Sequence, residues 1–350
     1  MKVQFSVLEG CDCYKIRTVP SLVTLKHGEV CEFEIFINPL CSCDIKDDIM
    51  VIGLELKTGT QYNERVKIET KTENTTKLNY NELEETKKIG EGSFGIVYKG
   101  NYRGNVVAIK RMKESTSDEK GKMVEFENEV SMLDKFRSEY IVHFYGAVFI
   151  PNKVCLVTEF AQFGSMQDLM KHKTNEEVDV KMRIKIMIDA AQGIYYLHEN
   201  NILHRDIKPD NILVISLDLN NKVNGKLTDF GSSRNINLLM TNMTFTKGIG
   251  TPTYMAPEIL MKEKYKKNAD VFSFAITMFE CFGWCEAYTK DLFKFPWKIA
   301  EYVIAGNRPI QNKNIKDNQY ELICECWKQN PIERITIETI IQKLETLKDN

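Results

Sequence analysis

Hydrophobic and polar positions change rhythm along this chain. Up to residue 70, short runs alternate apolar with polar: Val3–Leu8, Tyr14–Thr18, Ser21–Leu25, Val30–Asn38, Ile49–Leu56 and Glu64–Glu69. Turn residues part them at Pro20, His27-Gly28, Asn38-Pro39, Asp47-Asp48 and Thr58-Gly59. A period of two without a helical period predicts about six or seven short antiparallel strands, hence a small all-β sandwich. Residues 70–77 are polar and carry no apolar anchor, so 71–81 reads as a linker. Strand patterns return at Leu83–Ile89, Ile96–Tyr98 and Val106–Lys110, then a helical spacing over Glu119–Phe136, then a strand pair, Ile141–Ile150 and Lys153–Val157. Beyond Ser165 the helical period dominates: Arg183–Asn200, Ala269–Phe282, Trp297–Ala305, Gln319–Lys328 and Thr336–Leu347. The class is α+β, with an all-β module in front.

Composition changes this picture little. The 350 residues carry a net charge of −2, so no overall basic field draws the chain to nucleic acid or to an anionic membrane. There is no apolar run of transmembrane length and no long apolar segment behind Met1-Lys2, so the expectation is a cytoplasmic chain without a membrane span or signal peptide. Membrane association would then come through a partner. Of ten cysteines, Cys11/Cys13 and Cys41/Cys43 form two C-x-C pairs. Structural zinc usually takes C-x(2–4)-C spacing, so reduced, buried or strand-borne thiols are the expectation for these pairs. The β module has no catalytic constellation and is expected to bind a docking partner.

The chemistry gathers around His204-Arg205-Asp206-Ile207-Lys208-Pro209-Asp210-Asn211, a polar octapeptide between apolar segments. An Asp can accept a proton, a Lys two residues on can meet a phosphate, and an Asn five residues on can hold a metal ion. Upstream, Gly90, Gly92 and Gly95 sit between two strands, where close backbone approach to phosphate requires glycine. A dinucleotide fold would open a helix at the third glycine; here Ile96-Val97-Tyr98 continues as a strand. Lys110 ends the next strand and, taken alone, would read as a solvated lysine. Glu129 follows on the helical segment; Glu127 is its rival, but the apolar positions Phe126, Val130 and Leu133 place Glu129 on the inward face. Asp229-Phe230-Gly231 follows a polar hairpin at residues 218–225.

Residues 83–346 resemble a eukaryotic protein kinase domain, with eight motifs in the family's order. Asp229-Phe230-Gly231-Ser232-Ser233-Arg234 and the segment Cys326-Trp327 through Thr336 look like the tyrosine-kinase-like group, in the style of its amoebal members. The resemblance implies a two-lobed kinase fold over 82–347, with a small lobe at 82–160 and a large lobe at 161–347, after a sandwich that is immunoglobulin-like or major-sperm-protein-like in pattern. It implies that Lys110 positions the phosphates of ATP and pairs with Glu129, that Asp206 accepts the substrate hydroxyl proton, and that Lys208 neutralises the transferring phosphoryl. Asn211 and Asp229 would hold Mg²⁺. Gly90, Gly92 and Gly95 would form the lid. Val97, Ala108 and Leu213 would enclose adenine, with Thr158 at the back and backbone groups of Glu159 and Ala161 bonding the base. Leu133, Phe144, His204 and Phe230 would stack as a spine, which makes His204 structural.

Thr251 is expected to brace Asp206 and Lys208, Glu258 to pair with Arg334, and Asp270 to support the catalytic-loop backbone. Phe272 stands where the family usually has Trp. Lys208 is the serine/threonine pattern, so protein serine and threonine hydroxyls are the expected acceptors. Arg205 and Arg234 are expected to meet a phosphate on Thr241, Thr244 or Thr246 and so order the activation segment. The competing readings are a pseudokinase or dual-specificity scaffold and a nucleotide-binding switch. Motif completeness argues against a scaffold, because Lys110, Asp206 and Asp229 are all present.

Overall fold

A computed structural model describes this chain at all residues except 8–11, 92–94, 113–118, 236–251, 265 and 350. It divides into two compact units: Met1–Ser117 with Phe144–Thr158, and Asp118–His143 with Glu159–Asn350.

In the first unit, β1 (Lys2–Val7), β2 (Tyr14–Val19), β3 (Leu22–Thr24), β4 (Glu34–Pro39), β5 (Asp44–Leu54) and β6 (Gln61–Lys71) build the N-terminal region. One sheet runs β3-β1-β5-β6 and a second pairs β2 with β4, all antiparallel. Ile45, Ile49 and Val3 are buried in it. Asp47-Asp48, expected as a turn, lies inside β5 opposite Ile68 and Lys67. The Tyr14 hydroxyl donates to Asp47, so a tertiary partner overrides local turn preference. β6 is an edge strand, and its exposed Glu64, Arg65, Lys67 and Glu69 discourage pairing with another chain.

The segment expected as a linker is tied down. Ser42 N–H donates to Lys77 O (2.9 Å), Thr75 N–H to Ser42 Oγ (2.7 Å) and Cys43 N–H to Thr72 Oγ1 (2.8 Å). On its other side it joins the next sheet: Ala147 N–H donates to Thr76 O (2.7 Å) and Leu78 N–H to Ala147 O (2.9 Å). Gly146 makes this approach possible, since a Cβ there would lie 2.4 Å from Thr76 O. The anchors are threonine and serine hydroxyls, which an apolar pattern does not reveal.

That next sheet has the order β10-β11-β9-β8-β7, built from β7 (Leu83–Glu91), β8 (Gly95–Tyr102), β9 (Asn105–Met112), β10 (Phe144–Val148) and β11 (Cys155–Glu159). Val107, Ile109, Val148, Cys155 and Val157 close its core with Leu78 and Tyr102.

The second unit holds α1 (Glu119–Leu133), α2 (Met166–His172) and α3 (Val180–Glu199). After them come the short strands β12 (Ile202–Leu203), β13 (Ile212–Val214), β14 (Gly225–Leu227) and β15 (Arg234–Asn235). The remaining helices are α4 (Pro257–Leu260), α5 (Lys267–Gly283), α6 (Pro296–Ile304), α7 (Asp317–Cys326) and α8 (Ile337–Asp349). By its contacts α1 groups with these helices, although the sequence reading placed it in the small lobe. Every residue of α5 from Ala269 to Gly283 is buried, which marks it as the central helix of this unit. Arg334 and Glu258 form a bidentate buried pair at 2.7 Å on both arms, and Arg308 and Arg334 cover the Phe272 ring. Trp327 is core packing, 5.8 Å from the Phe279 ring.

Candidate active site

Asp270 holds the loop His204–Asn211 from beneath. Helix α5 carries this fully buried carboxylate, which accepts from His204 N–H (3.1 Å), Arg205 N–H (2.9 Å) and His198 Nε2 (2.9 Å). Burial alone would raise its pKa. The His198 hydrogen bond and charge, with the Arg205 amide, outweigh that and hold Asp270 below the usual carboxylate value. With two amides fixed, the backbone turns through a left-handed Arg205 (φ 71°), a conformation costing on the order of 1–3 kcal/mol outside glycine.

The turn presents Asp206. Its Oδ2 accepts from Lys208 Nζ at 2.7 Å and from Asn211 Nδ2 at 3.0 Å, and Asn211 Nδ2 also donates to Asp206 O at 2.7 Å. Asn211 thereby commits its side-chain N–H₂ to Asp206, which turns its side-chain oxygen Oδ1 to a different direction. Beyond it, β13 pairs with β14 in the register Ile212↔Leu227, and Thr228 N–H donates to Asn211 O (3.1 Å). That register brings Asn211 and Asp229 to the same end of the hairpin. Asp229 is left-handed (φ 62°), a second strained non-glycine residue.

Glu129 is buried and Glu127 exposed, in line with the inward face expected for Glu129. A methyl placed on Gly231 would lie 3.7 Å from Asp229 Oδ1 and 3.9 Å from Glu129 Oε2, so both carboxylates flank this glycine. Phe230 packs its ring 5.2 Å from His204 and 4.8 Å from Phe136. His204 is fully buried with Nε2 on Thr228 O (3.0 Å), which fits packing rather than proton transfer.

The segment after β11 is fastened to β13. Phe163 N–H donates to Val214 O (3.2 Å), Val214 N–H to Gly164 O (2.8 Å), and Ser165 bridges Leu213. This sets Ala161 beside the strand that carries Leu213. Glu159 N–H donates to His143 O (2.9 Å), and its carboxylate takes Lys226 Nζ (2.7 Å) and His143 N–H (2.6 Å).

In the first unit, the register Val97↔Lys110 and Lys99↔Ala108 puts Val97, Ala108 and Lys110 on one face of the β8–β9 pair. Val107 and Ile109 fill the opposite face. Gly90 lies opposite Val97. Gly95 is obligatory, because a Cβ there would fall 2.1 Å from Arg111 O. Thr158 is buried on β11, opposite Phe144. Gly92, Thr241, Thr244, Thr246, Thr251 and the Arg234 side chain lie outside the described residues.

Three further residues have roles that the sequence pattern does not signal. Phe136 fits a helical apolar position, and its ring packs against Phe230. His198 and Lys226 gave no signal, since each acts through a partner at long sequence separation, Asp270 and Glu159 respectively.

Residues 83–344 match the family "Protein tyrosine and serine/threonine kinase". The chain belongs to the protein kinase family. Among its relatives is a probable serine/threonine-protein kinase of Dictyostelium discoideum, gdt4, 33% identical over 93% of this chain and 20% of the relative. A putative serine/threonine-protein kinase/receptor of Acanthamoeba polyphaga mimivirus, R831, is 35% identical over 76% of this chain and 16% of its own length. The dual specificity protein kinase shkB of Dictyostelium discoideum is 36% identical over 74% and 39%. This kinase chain thus spans well under half the length of these relatives. The match to gdt4 is long enough to take in part of the N-terminal β region as well. Kinase membership implies ATP, a protein substrate and a divalent cation. No described helix is long and apolar enough to cross a membrane.

Proposed function

We propose that this chain is a catalytically active, Mg²⁺-dependent protein serine/threonine kinase. The observation that carries the reading is the Asp206 carboxylate, held by Lys208 at 2.7 Å and Asn211 at 3.0 Å over a buried anchor. A substrate hydroxyl brought to Asp206 would give its proton to that carboxylate as its oxygen bonds the γ-phosphorus of ATP. The bond to the bridging oxygen breaks, and ADP leaves. Lys208, beside Asp206, would offset charge on the moving phosphoryl group, and by the kinase resemblance Lys110 would orient the other phosphates with Glu129 as its counter-charge.

The side-chain oxygen of Asn211 and the Asp229 carboxylate are hard oxygen donors at one hairpin end, which suits Mg²⁺. Bound there, the ion would supply charge neutralisation on the phosphate oxygens. By the kinase resemblance, backbone groups of Glu159 and Ala161 would bond the adenine, and Val97, Ala108, Leu213 and Thr158 would enclose it. Gly90, Gly92 and Gly95 would cover the phosphates. Lys208 favours serine and threonine acceptors; the dual-specificity relative makes tyrosine the acceptor to test against them. Phosphorylation among Thr241, Thr244 and Thr246, read by Arg205 and Arg234, would switch the enzyme on. The β region would dock a partner.

The test is ATP-dependent labelling of a generic protein substrate followed by phospho-amino-acid analysis. Phosphoserine and phosphothreonine are expected from wild type and neither from Asp206→Asn. Phosphotyrosine as the main product would refute the acceptor assignment, and equal labelling by both proteins would refute the catalytic one.

A further inference from the structure

The N-terminal β region brings together three cysteines that the sequence keeps apart. Cys13 precedes β2, whereas Cys41 and Cys43 flank Ser42 in the turn from β4 to β5. The register Tyr14↔Pro39 carries Cys13 to that turn, and Leu40 N–H donates to Cys13 O at 2.8 Å. As a result the three Sγ atoms all lie within 4.8 Å of one another. Cys41 and Cys43 are buried, and Cys13 is half-buried. No disulfide joins the described cysteines.

We propose that Cys13, Cys41 and Cys43 form a structural site for a thiophilic d¹⁰ cation of the Zn²⁺ class. A Zn–S bond is about 2.3 Å, so sulfurs on one ion stand roughly 4 Å apart, a spacing this cluster reaches with side-chain adjustment alone. Three soft sulfur donors exclude Mg²⁺ and Ca²⁺, which take oxygen. On binding, each thiol gives its proton to solvent and the three thiolates coordinate the ion. The fourth position of the tetrahedron stays open to a further donor. Cys11, two residues before Cys13, lies outside the described residues.

Spacing alone argued against zinc, because C-x-C pairs are too short for the usual knuckle. The geometry answers that objection: Cys41 and Cys43 do not act as an isolated pair, because Cys13 reaches them from the start of another strand. The competing account is a small thiol core with Tyr14 and Ile45. Against it stands the closeness of the three sulfurs.

The position gives the ion a task. The turn bearing Cys41 and Cys43 is the one that receives Thr72, Thr75 and Lys77, the path into the kinase domain. A bound ion would clamp the β2–β4 pair to the start of β5, where that path is held.

The experiment uses the full chain, purified under reducing conditions, and its metal content. Wild type is expected to carry about one zinc per chain. Freed of metal by a chelator, it is expected to bind one equivalent of Co²⁺ with a thiolate-to-cobalt charge-transfer band that Zn²⁺ displaces and Mg²⁺ does not. Cys41→Ser is expected to lose more affinity than the roughly 10–100-fold that a second-shell loss costs. Cys31→Ser, whose thiol contacts Glu32 O, should keep full stoichiometry. Because serine in a small core can unfold it, alkylation of wild type is followed cysteine by cysteine. Zn²⁺ should slow Cys13, Cys41 and Cys43 at least tenfold and leave Cys31 unchanged. Absence of metal together with no cobalt band, or identical alkylation rates with and without Zn²⁺, would overturn the site.

Discussion

The catalytic loop and the N-terminal joint both fix a polar turn, and they do so by opposite means. The loop hangs on one buried carboxylate: Asp270 receives His198, His204 N–H and Arg205 N–H and imposes a left-handed Arg205. The joint spreads its load over neutral hydrogen bonds from Ser42, Thr72, Thr75 and Thr76. A concentrated charged anchor gives positional accuracy and fails as a unit. A distributed neutral one loses stability in small steps. Phosphoryl transfer depends on placement, so the first arrangement belongs where the chemistry is.

Breaking the concentrated anchor should give the largest effect. Asp270→Ala leaves His198 and two amides without their acceptor inside the protein, and should cost roughly 3–5 kcal/mol in urea unfolding. The same change should abolish transfer. A loss below about 1 kcal/mol, within the range of an ordinary hydrogen bond, would erase the contrast with the joint.

A second buried carboxylate carries the opposite pH sign and sharpens the point about charge. Burial raises Glu280 from 4.5 to about 7, against the lowering effect of Ala287 N–H and the Tyr254 hydroxyl. A folded-state pKa above the unfolded one means the folded state holds the proton longer. Its contribution is therefore lost as pH rises from 4.5 to about 7. Glu280→Gln should gain on wild type across that window, by on the order of 3 kcal/mol at most. Asp270 works the other way: its lowered pKa contributes stability above the ordinary value of 3.8 that is lost as pH falls through the folded-state value. Paired stability–pH curves check both signs, and a Glu280→Gln difference that stays flat with pH would contradict the first.

The joint should yield the smallest effect. Thr75→Val removes the hydroxyl beside Ser42 Oγ (3.0 Å) and should cost about 0.5–1.5 kcal/mol, with kinase activity nearly unchanged. A loss of several kcal/mol would show that the joint, too, is a concentrated anchor.

The same contrast explains what could be read in advance. The loop His204–Asn211 is contiguous, so the grouping of Asp206, Lys208 and Asn211 could be read from spacing, and the Glu258–Arg334 pair and the supporting contacts of Asp270 and His204 agree with the geometry. Its outside partners were not legible: His198 and Phe136 matter only through contacts that folding creates. In the β region the alternation revealed strands but not their register. Asp47-Asp48 therefore looked like a turn, Thr72 to Thr76 looked unanchored, and the meeting of Cys13 with Cys41 and Cys43 was hidden. Threonine hydroxyls and thiols gain partners by tertiary closure, and linear patterns of hydrophobicity carry no trace of that.

The most direct test of the central claim separates binding from chemistry at Asp206. Mg²⁺-ATP affinity is measured by calorimetry for wild type and Asp206→Asn, and phosphoryl transfer to protein is measured beside it. Asn keeps the size of the side chain and removes the proton acceptor. The expected outcome is ATP affinity unchanged within a few fold and transfer reduced by about 10²–10⁴, the usual range for loss of a general base. Transfer by Asp206→Asn at the wild-type rate would contradict the account.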